Sequence, residues 1–218
     1  MSDAENTTPE ESAAEATPPA RKRPKPGERR IQILQALASM LEQPGAERIT
    51  TAALAAKLEV SEAALYRHFA SKAQMFEGLI EFIEQAVFSL VNQIAEREAE
   101  ATDPAAGARH AGKVVTMLLQ FAEKNPGMVR VMVGDALVFE NERLQQRMNQ
   151  FFDKIESTLK QCLREGAAAG SATPTADAQV QASVLTAFVV GRLQRFARSG
   201  FRRLPTEHMD ASLAQMLR

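Results

Sequence analysis

The side chains best suited to chemistry on a partner cluster in one short stretch, "TTAALAAKLEVSEAALYRHF", residues 50–69. Tyr66, Arg67, His68 and Lys72 are polar and cationic groups close together in sequence, able to reach phosphate oxygens or the edges of bases in a groove. Ala63 and Ala64 beside them are small enough to let a helix axis approach the floor of a major groove. Thr50 and Ser61 are good helix N-caps, and a helix N-terminus offers backbone N–H groups to a phosphate. The chemistry implied is recognition of a polyanionic duplex, not bond making.

Catalytic alternatives have little to stand on. The histidines His68, His110 and His208 lie on separate predicted elements, with no cysteine or acidic neighbour at metal-ligand spacing, and no glycine-rich phosphate loop is present. Cys162, the one cysteine of the chain, falls within a helical pattern and reads as a small packed hydrophobe that excludes an internal disulfide. We therefore expect no enzyme activity, no metal and no cofactor.

Two helices must position these groups. Thr50 would cap the first, with Ile49 and Leu54 placed for a hydrophobic staple and Leu54, Ala55 and Leu58 facing inward. The chain would turn at Glu59-Val60, and Ser61 would cap a second, recognition helix over residues 61–68 whose Leu65 faces the core. This is a helix-turn-helix. Glu59 stands at the turn position where glycine is usual, so a left-handed backbone there would cost about 1 kcal/mol and a wider turn is the alternative.

Charge supports a nucleic-acid partner. The 218-residue chain has a formal net charge of −1, yet residues 1–20 carry five acids and no base while residues 21–72 carry ten bases and five acids. The arm "RKRPKPGERR" alone holds six bases and one acid, and would add salt-dependent contacts outside the main footprint. A solvated basic linker would give the same count.

The remaining pattern is helical throughout. Residues 1–27 lack large apolar side chains and are read as a disordered tail with a basic arm. A first helix of about 15 residues is expected from Glu28 to just before Pro44-Gly45. A long helix runs through Met75, Phe76, Leu79, Phe82, Ile83, Val87, Leu90, Val91 and Ile94. After a linker at residues 98–108, helices are expected over Val114–Glu123 and, beyond the breaker Asn125-Pro126-Gly127, as a short helix and a long one over Asp135–Glu165. A flexible segment, a helix over Ala178–Ser199 and a short helix after Pro205 complete an all-α fold of about nine helices: an N-terminal three-helix unit on a C-terminal bundle. No stretch is long and apolar enough to span a membrane, nor is the N-terminus a signal peptide, so a cytoplasmic location is expected.

The faces Leu144, Met148, Phe151, Phe152, Ile155 and Leu159, and Val184, Leu185, Phe188, Val189, Leu193 and Phe196, form two apolar stripes. Either they fill the core of one bundle, or they meet their symmetry mates in a four-helix dimer interface. A dimer would set two recognition helices about 34 Å apart, one turn of DNA.

The string "ITTAALAAKLEVSEAALYRHFASKAQMF" resembles the N-terminal signature of the TetR family, through the pattern Tyr66, His68, Phe69 and Lys72. "EKNPGMVRVMVGDALVFENERLQQRMNQFFDKIE" and "RFARSGFRRLPT" extend the resemblance to the nucleoid occlusion branch of that family. It implies a nucleoid-associated homodimer on palindromic double-stranded DNA that antagonises assembly of the tubulin-like division protein FtsZ. It maps DNA contacts onto Thr50, Thr51, Ser61, Glu62, Ala63, Ala64, Tyr66, Arg67, His68 and Lys72, and the FtsZ-binding groove, between the fourth and fifth helices, onto Phe82, Met117, Lys124 and Asn125. The units implied are residues 28–72 as the DNA-binding domain and 73–218 as a dimerisation and FtsZ-interaction domain. Three departures stand out besides Glu59: Leu90 replaces a basic residue, Lys124 an arginine able to hold a carboxylate bidentately, and the acidic tail is long. The rival reading, a ligand-responsive TetR-type repressor, would need polar residues such as Thr116, Gln120, Asn149 and Thr186 to line a pocket.

Overall fold

In a computed structural model the chain is described over residues 27–43, 49–98, 105–168 and 175–217. The tail and residues 21–26 of the basic arm, the expected stop at Pro44-Gly45, and residues 99–104 and 169–174 of the two linkers lie outside these. The helices are α1 Glu28–Leu41, α2 Thr51–Lys57, α3 Glu62–Tyr66, α4 Lys72–Glu98, α5 Ala106–Lys124, α6 Pro126–Met132, α7 Glu142–Ala168, α8 Thr175–Arg198 and α9 Met209–Met216, with a 3-10 turn at Asp135–Leu137. There is no strand among the described residues. The expected all-α architecture of about nine helices holds, with nine α-helices among the described residues.

Three boundaries move, each for a physical reason. The helix expected over Asp135–Glu165 is broken: Gly134 takes φ 84°, a 3-10 turn follows, and α7 starts only after Asn141, whose Oδ1 accepts the N–H of Arg143 at 2.9 Å. α5 begins at Ala106 rather than Val114, because Ala106, Gly107 and Ala111 are buried, and their smallness serves close packing rather than a linker. α8 likewise begins at Thr175, ahead of Ala178.

One continuous core runs through the molecule. α7 packs on α8 and on α5, and α4 lies against α5 and α7. Phe151 sits at the centre with no exposed surface, edge-on to Phe88 at 5.7 Å and to Phe152 at 5.1 Å between ring centroids. Cys162 is buried here as a packed hydrophobe. The two apolar stripes prove to be mainly core of a single chain: Leu144, Met148, Phe151, Ile155, Leu159, Leu185, Val189, Leu193 and Phe196 are all buried, leaving only Phe152, Val184 and Phe188 partly exposed. The reason is that α5 and α4 cover those faces, so the stripes are not surplus.

The N-terminal unit joins this bundle along α1. Pro126 opens α6 at a position where its missing N–H costs nothing, and α6 lies across α1. Contact is at backbone distance: a Cβ on Gly127 would stand 1.9 Å from the carbonyl oxygen of Ala38. Only glycine fits there.

Candidate nucleic-acid interface

Each short helix of the N-terminal unit starts on its expected cap. Thr50 Oγ1 accepts the N–H of Ala53 at 3.1 Å and Ser61 Oγ that of Ala64 at 3.3 Å, so these donors are spent internally rather than left for phosphate. Ile49, Leu54, Ala55, Leu65 and Phe69 are buried, and lock α2 and α3 together from within.

The turn between them is tight, not wide. Glu59 adopts φ 53°, its N–H reaches the carbonyl of Ala56 at 3.1 Å, and the N–H of Val60 reaches that of Ala55 at 3.0 Å. This pair of bonds is a Schellman motif, which satisfies the last carbonyls of α2 and fixes the angle at which α3 leaves. The penalty of a non-glycine residue in the left-handed region is accepted for it.

On the outward side, Ala63, Tyr66, Arg67 and His68 are exposed and Ala64 is half-buried; Tyr66 keeps 45% of its surface. Helix α3 is regular only over Glu62–Tyr66, with Arg67 as its C-cap, shorter than the 61–68 expected. Three of the mapped residues bond to one another: the Tyr66 hydroxyl donates to Thr51 Oγ1 at 3.4 Å, and Thr51 donates to Glu62 Oε2 at 2.6 Å. That chain ties the start of α2 to both ends of α3 and orients the aromatic ring.

Two expected contacts are otherwise engaged. Lys72 opens α4 with its ammonium 2.5 Å from Glu140 Oε1 and 5.7 Å from the Phe76 ring centroid. Arg30, counted with the basic arm as a further phosphate contact, is docked: its guanidinium lies 4.2 Å over the Phe69 ring and Nη1 donates to the His68 carbonyl at 3.2 Å. Arg30 therefore holds α1 to the end of the recognition helix, a role that no local pattern announces because Phe69 is distant in sequence. Arg29, similarly, donates to Gln32 Oε1 at 3.1 Å within α1.

The second mapped site is less concentrated, and Phe82 opens onto a groove other than the expected one between the fourth and fifth helices, because α1 and α6 flank it there. Phe82, 39% exposed, lines a groove with Ile31, Leu34, Gln35, Leu79 and Met128, formed by α1, α4 and α6. Met117 is half-buried against the core from α5. Lys124 is exposed in the last turn of α5, while the Asn125 amide donates to the Phe121 carbonyl at 2.7 Å. Met128 and Ile31 are additions that sequence reading missed. The polar residues needed by a ligand pocket do not converge: Gln120 and Asn149 are exposed, Thr116 is half-buried, and Thr186 returns its hydroxyl to the Ala182 carbonyl at 2.9 Å.

At the far end of α4 from Lys72, α4 and α5 are clasped together. Glu98 pairs with Lys113 and, at 3.4 Å, with Arg109. The Lys113 hydrogen bond, with help from Arg109 and against partial burial, holds the Glu98 carboxyl below its ordinary value.

Known proteins share both halves. Residues 33–79 match the family described as bacterial regulatory proteins, tetR family, and residues 109–218 match the SlmA-like tetracyclin repressor-like C-terminal domain. The nucleoid occlusion factor SlmA of Idiomarina loihiensis is 51% identical over 183 residues, 84% of this chain and 90% of that protein. The SlmA of Vibrio cholerae is 50% identical over 183 residues, again 84% and 90%. Among solved structures, the fatty acid degradation regulator FadR of Bacillus halodurans superposes with a TM-score of 0.68 at 18% identity, covering 89% of this chain and 97% of that one. At that identity the likeness is one of fold.

Proposed function

We infer the action of this chain from the premise that it belongs to the SlmA family of nucleoid occlusion factors, built on the TetR fold. It is a DNA-binding regulator rather than an enzyme. The reading we propose is that a homodimer binds palindromic duplex sites on the chromosome through residues 50–72, and antagonises FtsZ assembly over unsegregated DNA through a surface that includes Phe82, Met117, Lys124 and Asn125. The observation that carries it is the likeness of residues 109–218, since the helix-turn-helix alone would fit any TetR-type repressor. The reading places the chain in the cytoplasm at the nucleoid; no described helix is long and apolar enough to cross a membrane.

Support for the dimer lies on the outer face of α8. Val180 and Val184 are 62% and 48% exposed, Ala187 is exposed, and no atom lies within 4 Å of where a Gly191 Cβ would stand. Spaced 4, 3 and 4 residues apart, these form a seam of the kind that two packed helices share. Its small residues would let a second copy approach closely. The DNA reading rests on the rigid turn at Glu59 and the exposed Tyr66, Arg67 and His68. Phe82 supports the FtsZ surface as a large apolar side chain exposed beside further apolar residues of the groove.

The test is sedimentation of FtsZ polymers with this protein, with and without a duplex selected by it from a random pool. Polymer mass is expected to fall when the duplex is present, and Phe82→Ala to restore it without changing duplex affinity. Undiminished polymer in the presence of the wild-type complex would sink the reading.

A further inference from the structure

Lys72 belongs by position to the DNA-facing unit, yet its 2.5 Å partner Glu140 belongs to the bundle. The two carboxylate and ammonium groups are unequally enclosed: the Glu140 side chain is 10% exposed and that of Lys72 33%. If Lys72 leaves, a carboxylate with little access to water loses its cation. Arg147, early in α7, is not ready to replace it, being committed to Glu84 Oε2 at 2.7 Å and turned toward the Glu77 carbonyl. Glu140 sits in the turn between the 3-10 segment and α7, its N–H on the Leu137 carbonyl at 3.0 Å. Val138 and Phe139 at the tip of this turn, 61% and 66% exposed, stand outside the core.

We propose that Glu140 competes with DNA phosphate for Lys72, so that this pair sets the affinity of the reading head and couples its engagement to the 138–141 turn. The inference rests on the reading of residues 50–72 as the DNA-contacting head. A phosphate and a carboxylate are rival acceptors for the same ammonium, and the duplex gains Lys72 only by stripping it from Glu140. The freed carboxylate then collects a solution cation, which offsets one of the counterions released from the duplex.

Three signatures follow for the full-length protein on a duplex it has selected from a random pool. Glu140→Gln raises affinity about two- to fivefold, the range of a partly exposed ion pair. The same change steepens the dependence of log affinity on log salt by up to about 0.9, one counterion equivalent on duplex DNA. Lys72→Ala costs little in the wild-type background and more in Glu140→Gln, since only there is Lys72 free to pay its full contribution. Thermal melting of each variant separates these effects from misfolding.

If Glu140→Gln leaves duplex affinity unchanged or weakens it, Glu140 does not mask Lys72, and the proposal falls. Equal costs of Lys72→Ala in both backgrounds would overturn it as well. Failure of the wild-type protein to select any duplex would instead defeat the DNA reading itself, and is distinguishable because no variant is involved.

Discussion

Two of the contacts between the reading head and the bundle could hardly differ more. At Gly127 the backbones of α6 and α1 come together with no room for a methyl group, while at Lys72 the junction is a single ion pair open to solvent on one side. The first is a seam of short-range repulsion and dispersion, indifferent to salt. The second is electrostatic, screened within about 8–10 Å at physiological ionic strength and open to replacement by another anion. A regulator needs both: the seam carries the head as a fixed part, and the ion pair lets its state be felt beyond it.

The largest blow to this contrast should be Gly127→Ala. The added methyl forces α6 away from α1, and overpacking of that kind costs about 1–3 kcal/mol. A drop of that size in unfolding free energy, with amide exchange quickened in α1 before α7, would confirm a seam separable from the core; exchange quickened everywhere at once would mean the molecule melts as one unit. Thr50→Ala strikes inside the head instead, removing the cap on the Ala53 N–H at about 1 kcal/mol. Chemical denaturation should detect that cost, and duplex affinity should fall with it.

A smaller change should act in the opposite direction. Glu59→Gly relieves the positive φ of 53° at the turn but gives the unfolded chain more freedom, so a net gain of about 0.5 kcal/mol in denaturant stability is expected. The least effect should come from the other ionic junction, Glu98 with Lys113 and Arg109. Its folded carboxyl titrates below the unfolded one, so its contribution is fully present above the ordinary carboxylate pKa and is lost as pH falls through the folded value. Melting curves of Glu98→Gln and wild type should converge on acidification; curves that stay parallel would show that the clasp carries no stability of its own.

Sequence reading recovers what is local. The caps Thr50 and Ser61 and the inward Leu65 are written in neighbouring residues, and the long periodic faces of α4, α7 and α8 announce helices, whereas the left-handed turn is not announced because Glu59 stands where glycine is usual. It misplaced the start of α5 because Ala106, Gly107 and Ala111 carry no apolar signal although they are buried by close packing. The break before α7 was hidden by apolar periodicity that continues across Gly134. Arg30 on Phe69 and Lys72 on Glu140 join residues that only the folded chain brings together, and their partners have no spacing that a pattern can detect. The same holds for Phe82, whose neighbours Ile31 and Met128 come from flanking helices on either side of it in the chain.

The contact between Gly127 and the Ala38 carbonyl also bears on how such proteins can be recombined. A helix-turn-helix is often treated as an interchangeable part, to be cut from one regulator and joined to another's bundle at the start of α4. Here the cut would leave half the joint behind, because the surface that receives α1 is supplied by α6, far downstream. A chimera that takes residues 28–72 with α6 from the same parent should keep its fit, whereas one that meets a side chain at position 127 inherits a collision with the helix it was meant to carry.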